Sequence, residues 1–117
     1  MSKLGKVYTA SFQTGALGAA GDYPSGGSSV FLPEGALVVK AYISEQTALA
    51  GGTNVKIVSG STDLMSALAT GSIADFNDVT LTANKMTGAG ELKLTTTGTY
   101  SAGAATVHVV YLMESAE

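Results

Sequence analysis

Thr47-Ala48-Leu49-Ala50-Gly51-Gly52-Thr53-Asn54-Val55-Lys56-Ile57-Val58 lines up without gaps against Thr99-Tyr100-Ser101-Ala102-Gly103-Ala104-Ala105-Thr106-Val107-His108-Val109-Val110, and the reading of this pair decides the fold. Each copy predicts a strand end, a Thr-x-x-Ala-Gly turn and a returning strand with apolar residues at every second position. Period-two alternation is the mark of a half-buried strand. Two such units, over residues 36–58 and 91–113, predict a β-sandwich built from two related hairpins. The match fails in the first strand, where the inward positions are odd in one unit (Leu37, Val39) and even in the other (Leu92, Leu94). Duplication and convergence on one sandwich pattern both fit.

The flanking sequence reads the same way. Residues 6–13 alternate, with Tyr8, Ala10 and Phe12 on one face and Thr9, Ser11 and Gln13 on the other. Residues 14–29 carry five glycines and Pro24 and predict a long loop. Residues 29–32 predict a short strand stopped by Pro33-Glu34-Gly35, a turn signal. Leu37, Val39, Ala41 and Ile43 then share an apolar face, opposite Val38, Lys40, Tyr42 and Ser44. Residues 45–53 predict a loop. Thr62 or Asp63 can cap a short helix over residues 64–69, with Leu64 and Leu68 on one face and Gly71 as its stop. Residues 78–84 and 91–95 predict further strands. In the last strand, 105–114, Val107, Val109, Tyr111 and Met113 line one face, while His108, Val110 and Leu112 make the other largely apolar too. Seven or eight short strands between Gly-rich turns predict an all-β, jelly-roll-like antiparallel sandwich.

Composition narrows the function. The 117 residues are 45% hydrophobic but only 13% charged, about half the usual charged share of ~25%. Mean hydropathy is +0.28 and the isoelectric point about 4.9. A monomer this poor in charge has little polar surface to show water, which predicts Ser/Thr cover and burial by other subunits. The six basic residues are all lysines, spread along the chain without a patch. Without arginine there is no bidentate fork for phosphate and no guanidinium to stack on bases, which argues against nucleic acid. No apolar run approaches the ~20 residues of a membrane helix, and residues 7–13 alternate where a signal peptide would be continuously apolar. Cysteine is absent, so there is neither a disulfide framework nor a thiolate site.

The chemistry-bearing residues are sparse. His108 is the sole histidine and sits mid-strand, without the partners that a triad or zinc site requires. It reads as a structural or subunit-contact residue. Asp75, Asn77 and Asp78 offer oxygens, but the schedule of a calcium loop and its closing Glu are missing, so turn chemistry explains them, as it does Asp22. Gly15-x-x-Gly18-x-x-Gly21 lacks the Lys-Ser/Thr and the helix of a phosphate loop. No paired carboxylates face a cleft. Catalytic residues, cofactor and metal are therefore expected to be absent. The uncharged run Thr95-Thr96-Thr97-Gly98-Thr99-Tyr100 reads as an exposed sheet edge or an ordinary strand end.

Two stretches carry a resemblance. Leu32-Pro33-Glu34-Gly35-Ala36-Leu37-Val38-Val39-Lys40-Ala41-Tyr42-Ile43, followed by a Gly-rich turn, a Val-x-Ile strand ending in Gly60 and Thr62-Asp63-Leu64-Met65, resembles small virion proteins of tailed bacteriophages. Tyr100-Ser101-Ala102-Gly103-Ala104-Ala105-Thr106-Val107-His108-Val109-Val110-Tyr111-Leu112 is similar to their last hairpin. The match covers residues 30–113 and is most like capsid decoration (cement) proteins. It implies a homotrimer standing on the lattice of the phage major capsid protein, at the outer surface of the virion. It also implies a β-sandwich body over residues 30–117, with residues 1–29 as an N-terminal strand and Gly-rich arm.

Residues expected to meet other subunits are Phe31, Tyr42, Tyr100, His108, Val110 and Leu112. Tyr and other aromatics are enriched at such contacts. Two other readings use the same residues. A tail, neck or fibre component differs from a decoration protein in copy number, and a carbohydrate-binding module would use Tyr42 and its neighbours as a stacking platform. An enzyme is the reading with least support from the residue inventory.

Overall fold

The computed structural model describes residues 5–69, 77–78, 81 and 85–114. Ten strands follow in chain order: β1 (Gly5–Gln13), β2 (Gly21–Tyr23), β3 (Phe31–Leu32), β4 (Leu37–Gly51), β5 (Asn54–Ser59), β6 (Thr62–Asp63), β7 (Leu68–Ala69), β8 (Asn77–Asp78), β9 (Gly90–Thr97) and β10 (Tyr100–Glu114). They form one four-stranded sheet in the order β1-β10-β4-β8 and a second in the order β2-β9-β5-β6, with β3 added to β9 and β7 to β5. All the pairings are antiparallel.

One bent ribbon organises both sheets. β4 pairs with β10 from Leu37↔Leu112 to Gly51↔Tyr100, and β5 continues on β9 from Asn54↔Thr97 to Ser59↔Leu92. The register therefore runs through the connections at 52–53 and 98–99, where both strands pass from the first sheet to the second. Gly51, Gly52 and Gly98 hold φ of +79°, +68° and +84°, a region that L side chains enter only at a cost of about 1–2 kcal/mol. Gly52 N donates to Thr99 O and Thr53 N to Thr97 O, each at 2.8 Å, which closes the bend. Residues 5–32 follow one side of the ribbon along 114–90, and the described parts of 62–85 follow the other along 59–37. The product is a four-lane antiparallel sheet folded over on itself, a jelly-roll-like sandwich measuring 53 × 24 × 20 Å.

The fold over the glycines puts apolar faces together. Val38, Ala41, Ile43, Val107 and Val109 of the first sheet and Val55, Ile57, Leu92 and Leu94 of the second are fully buried in one cluster, with Leu32 and Leu64. Each large aliphatic side chain so buried contributes about 1.5–3 kcal/mol. The few buried polar groups are satisfied: Thr14 Oγ1 accepts from Ala105 N at 3.0 Å, and Thr96 Oγ1 bonds Gly21.

Several sequence expectations are corrected. No helix forms over residues 64–69. Leu64 N instead donates to Ile57 O at 2.9 Å, and β7 lies along β5; two helical turns without a docked face do not outcompete a sheet edge. Residues 45–51 are strand, not loop, because β10 offers them a partner along its whole length. The expected turn at Ala102-Gly103 lies inside β10, and the true turn is at 98–99. β4–β5 and β9–β10 are thus crossovers between sheets rather than hairpins. Thr95 to Thr97 lie in β9, flanked by β2 and β5, so they are no exposed edge. Five strands are only two or three residues long, which is why the count exceeds seven or eight. Of the strand expected over 78–84, only Asp78 and Leu81 are among the described residues. Asp75 lies outside them, and Asn77 and Asp78 are described as backbone.

Candidate contact surface

The first sheet has one face in the core and one facing outward. Because residues directly opposite share a face, the register spells out the outer face in rows. Ser11, His108 and Tyr42 form one row; Thr9, Val110 and Lys40 form the next; Val7, Leu112 and Leu37 form the last. Val7 is 65% exposed and Leu37 39% exposed, while His108, Val110 and Leu112 in the middle strand are half-buried. Val39, 45% exposed, adds to the same end.

Val39 is exposed because of a bulge. Val110 lies opposite Lys40, but the next residue, Tyr111, lies opposite Val38, so β4 has one residue more than β10 there. A bulge of this kind reverses the side-chain parity of one strand. Val38 takes the inward position that alternation assigns to Val39, and Leu37 turns outward. The sequence placed both Leu37 and Val39 in the core; the structure places both on the surface.

Polar groups on this face contact one another. Ser11 Oγ and His108 Nδ1 are 3.0 Å apart, linking β1 to β10. Lys40 Nζ lies over the Tyr42 ring, 5.9 Å from its centre, within cation–π range. Beyond the rows, at the end of the sandwich, the rings of Tyr8 and Tyr111 stack at 5.5 Å with 25° between their planes.

The outer face of the second sheet is its opposite in character. There Asp22, Thr95 and Lys56 form one row and Lys93, Val58 and Asp63 the next. Lys56 pairs with Asp63 at 2.9 Å and Lys93 with Asp22 at 3.4 Å, and Thr95 Oγ1 donates to Asp22 Oδ1 at 2.7 Å. One outer face is thus charged and self-satisfied, and the other presents Val7, Leu37, Val39, Val110 and Leu112.

Four of the six expected contact residues, Tyr42, His108, Val110 and Leu112, are brought together on the outer face of the first sheet. Phe31 is 59% exposed but stands apart, beside Glu91 on the second sheet. Tyr100 corrects the expectation of an outward ring. It is 3% exposed, lies against Gly52 at the bend, and its hydroxyl donates to Asn54 O at 3.2 Å. Val7 went unnoticed in the sequence; its signal was its position between Lys6 and Tyr8, opposite in phase to Tyr8, Ala10 and Phe12. Among the described residues no group of three or more His, Asp or Glu is placed to hold a metal ion.

No family model matches the sequence, and no curated protein matches it either. Among solved structures, a chain of the acidic stable capsid structure of Helicobacter pylori bacteriophage KHP30 is similar in fold, with a TM-score of 0.68 and 15% identity over 99% of this chain and 98% of that one. A chain of the capsid asymmetric unit of cyanophage Pam1 is similar with a TM-score of 0.66 and 17% identity, covering 93% of this chain and 86% of that one. Such coverage makes each neighbour a chain of nearly this size.

Proposed function

We propose that this chain is a non-enzymatic structural protein of a bacteriophage virion, one that decorates and stabilises the capsid by docking on the major capsid protein. The observation that carries the reading is the unequal pair of outer faces. A free-standing domain gains nothing from exposing Val7, Leu37, Val39, Val110 and Leu112 together, whereas a chain fixed to a lattice covers them. The fold neighbours support the same reading, since they are capsid chains of about this length.

The mechanism is mechanical. A contact that forms only on the assembled shell stabilises that state over loose subunits by mass action. Each contact is modest, and repetition over the lattice multiplies the effect. The outer face of the first sheet supplies the apolar centre, with Tyr42, Lys40 and His108 toward its polar side; apolar centre and polar rim are the usual anatomy of a protein interface. The charged outer face of the second sheet then points away from the shell, toward water. Self-association belongs to the reading as well. The resemblance implies three copies, while the strand edge described below argues for a pair as the building unit.

The test is co-purification with a phage particle at a measured stoichiometry. Hundreds of copies per particle support decoration, and tens or fewer indicate a tail, neck or fibre component. Val110→Asp and Leu112→Asp should leave the sandwich folded and abolish attachment. Retained attachment in both would remove this face from the account. Glycan binding that disappears in Tyr42→Ala would transfer the surface to the carbohydrate-binding reading.

A further inference from the structure

We propose that β1 is the pairing edge of a two-fold dimer, in which the β1 strands of two copies run antiparallel about Ala10 and join their first sheets into one. This stands independently of the virion reading.

An open sheet edge invites another strand, and proteins blunt their edges with short strands, charges, proline or bulges. Among the described residues the sheet edges are β1 and β8 in the first sheet, and β2 with β3 and β6 with β7 in the second. β3, β6, β7 and β8 have two residues each and β2 has three. β1 has nine, with an unbroken register against β10 from Gly5 to Gln13. Its stretch Val7-Tyr8-Thr9-Ala10-Ser11-Phe12-Gln13 has no charge, glycine or proline. Of these edges, only β1 is both long and unguarded.

The backbone direction follows from the ladder. Thr14 N donates to Ala105 O at 2.9 Å, in step with the β1–β10 register. Bonded and non-bonded pairs alternate in an antiparallel ladder, so even-numbered residues of β1 bond β10. The N–H and C=O groups of Val7, Thr9, Ser11 and Gln13 then point to the open edge.

The sequence of that edge is complementary to itself. With Ala10 opposite its own copy, Thr9 faces Ser11, Tyr8 faces Phe12 and Val7 faces Gln13. That places hydroxyl against hydroxyl on the outer face and ring against ring on the inner one, both favourable cross-strand pairs. No charge meets a like charge, since the single lysine of the strand, Lys6, falls opposite Thr14. The edge-facing residues pair with each other, giving about eight new backbone hydrogen bonds from the same alternation. An isologous contact of this kind is the usual route to a closed homodimer. It also leaves both outer faces on the same side, so the joined sheet carries two patches with Val7, Leu37, Val110 and Leu112, one on each side of the two-fold axis, with the Thr9 and Ser11 pairs between them.

Sedimentation equilibrium should show twice the chain mass of 11.7 kDa. The double variant Thr9→Lys, Ser11→Lys places like charges opposite each other twice and should return the mass to that of one chain at the same concentration, with an unchanged circular dichroism spectrum. The double variant Thr9→Lys, Ser11→Glu places opposite charges in the same two places and should remain dimeric. Amide exchange on the unaltered protein needs no variant: protection at Val7, Thr9, Ser11 and Gln13 should rise with protein concentration. A wild-type monomer or trimer overturns the proposal, as does a dimer whose four amides stay unprotected. A Lys/Lys variant that remains dimeric, or a Lys/Glu variant that dissociates with it, overturns the register.

Discussion

Replacing Gly52 with alanine tests the bend on which the sandwich folds. Two costs are built into the position. Its φ is +68°, where a side chain brings about 1–2 kcal/mol of backbone strain. A Cβ placed there also lies 2.2 Å from Cζ of Tyr100 and 2.4 Å from Cε1, far inside van der Waals contact. The ring has to move by more than an ångström, and its 3.2 Å hydrogen bond to Asn54 O is lost with it. A hydrogen bond of this kind is worth about 0.5–1.5 kcal/mol, and displacing a packed ring adds about 1–3 kcal/mol of overpacking. Gly52→Ala should therefore destabilise by about 3–6 kcal/mol, a large share of a total stability of about 5–15 kcal/mol. Gly35 is the control: its φ is +87°, but nothing lies within 4 Å of the added carbon, so Gly35→Ala should cost only the strain term. Urea unfolding at one fixed protein concentration reads both values, and holding concentration fixed removes any contribution from association. A double-mutant cycle isolates the contact. In a Tyr100→Ala background the cost of Gly52→Ala should fall to that of Gly35→Ala. A Gly52→Ala cost equal to the control in the parent protein, or undiminished without the Tyr100 ring, would refute the account of the bend.

Other outcomes follow from the same structure. Phe12 is 6% exposed in β1, so Phe12→Ala should cost about 3–5 kcal/mol in denaturant unfolding. Deleting residues 1–20 removes Ala10, Phe12 and Leu17 from the core along with the whole of β1; loss of the cooperative unfolding transition is expected, and a stably folded truncation would reduce the segment to an appendage. Lys56→Ala and Asp63→Ala break an ion pair whose side chains are 32% and 51% exposed, so each should shift stability by no more than about 1 kcal/mol, and by less in high salt.

The strands with strict alternation were legible from residues alone. Val107, Val109, Leu92, Leu94 and Ile57 fell on the inward face as their spacing required. What the sequence hid has physical causes. The bulge at Val39 inserts one residue without altering composition, so an alternation count carried across it places Leu37 and Val39 on the wrong side. The turn of the second unit was misplaced because Ala102-Gly103 copies Ala50-Gly51 in sequence, while Gly98 supplies the positive φ of the real bend. Residues 64–69 carry helical spacing, yet their backbone is claimed by β5, a partner distant enough that local periodicity does not report it. The candidate surface was half visible: His108, Val110 and Leu112 follow from a strand apolar on both faces, and Tyr42 from its place opposite the inward residues Ala41 and Ile43. Tyr100 did not, because its partner is the missing side chain of Gly52.

The route of the N-terminal segment sets a timetable for synthesis. Every sheet partner of β1, β2 and β3 lies between Gly90 and Glu114. As the polypeptide leaves the ribosome, β1, β2 and β3 emerge with nothing to pair with until residues 90–114 have followed them. The ribbon itself has to close a loop of about thirty residues between Ser59 and Leu92 before zipping toward the glycines, and distant pairings of this sort make folding slow. The nascent chain thus carries Val7, Tyr8 and Phe12 uncovered until β10 has been made, a window in which chaperone capture or premature aggregation competes with folding.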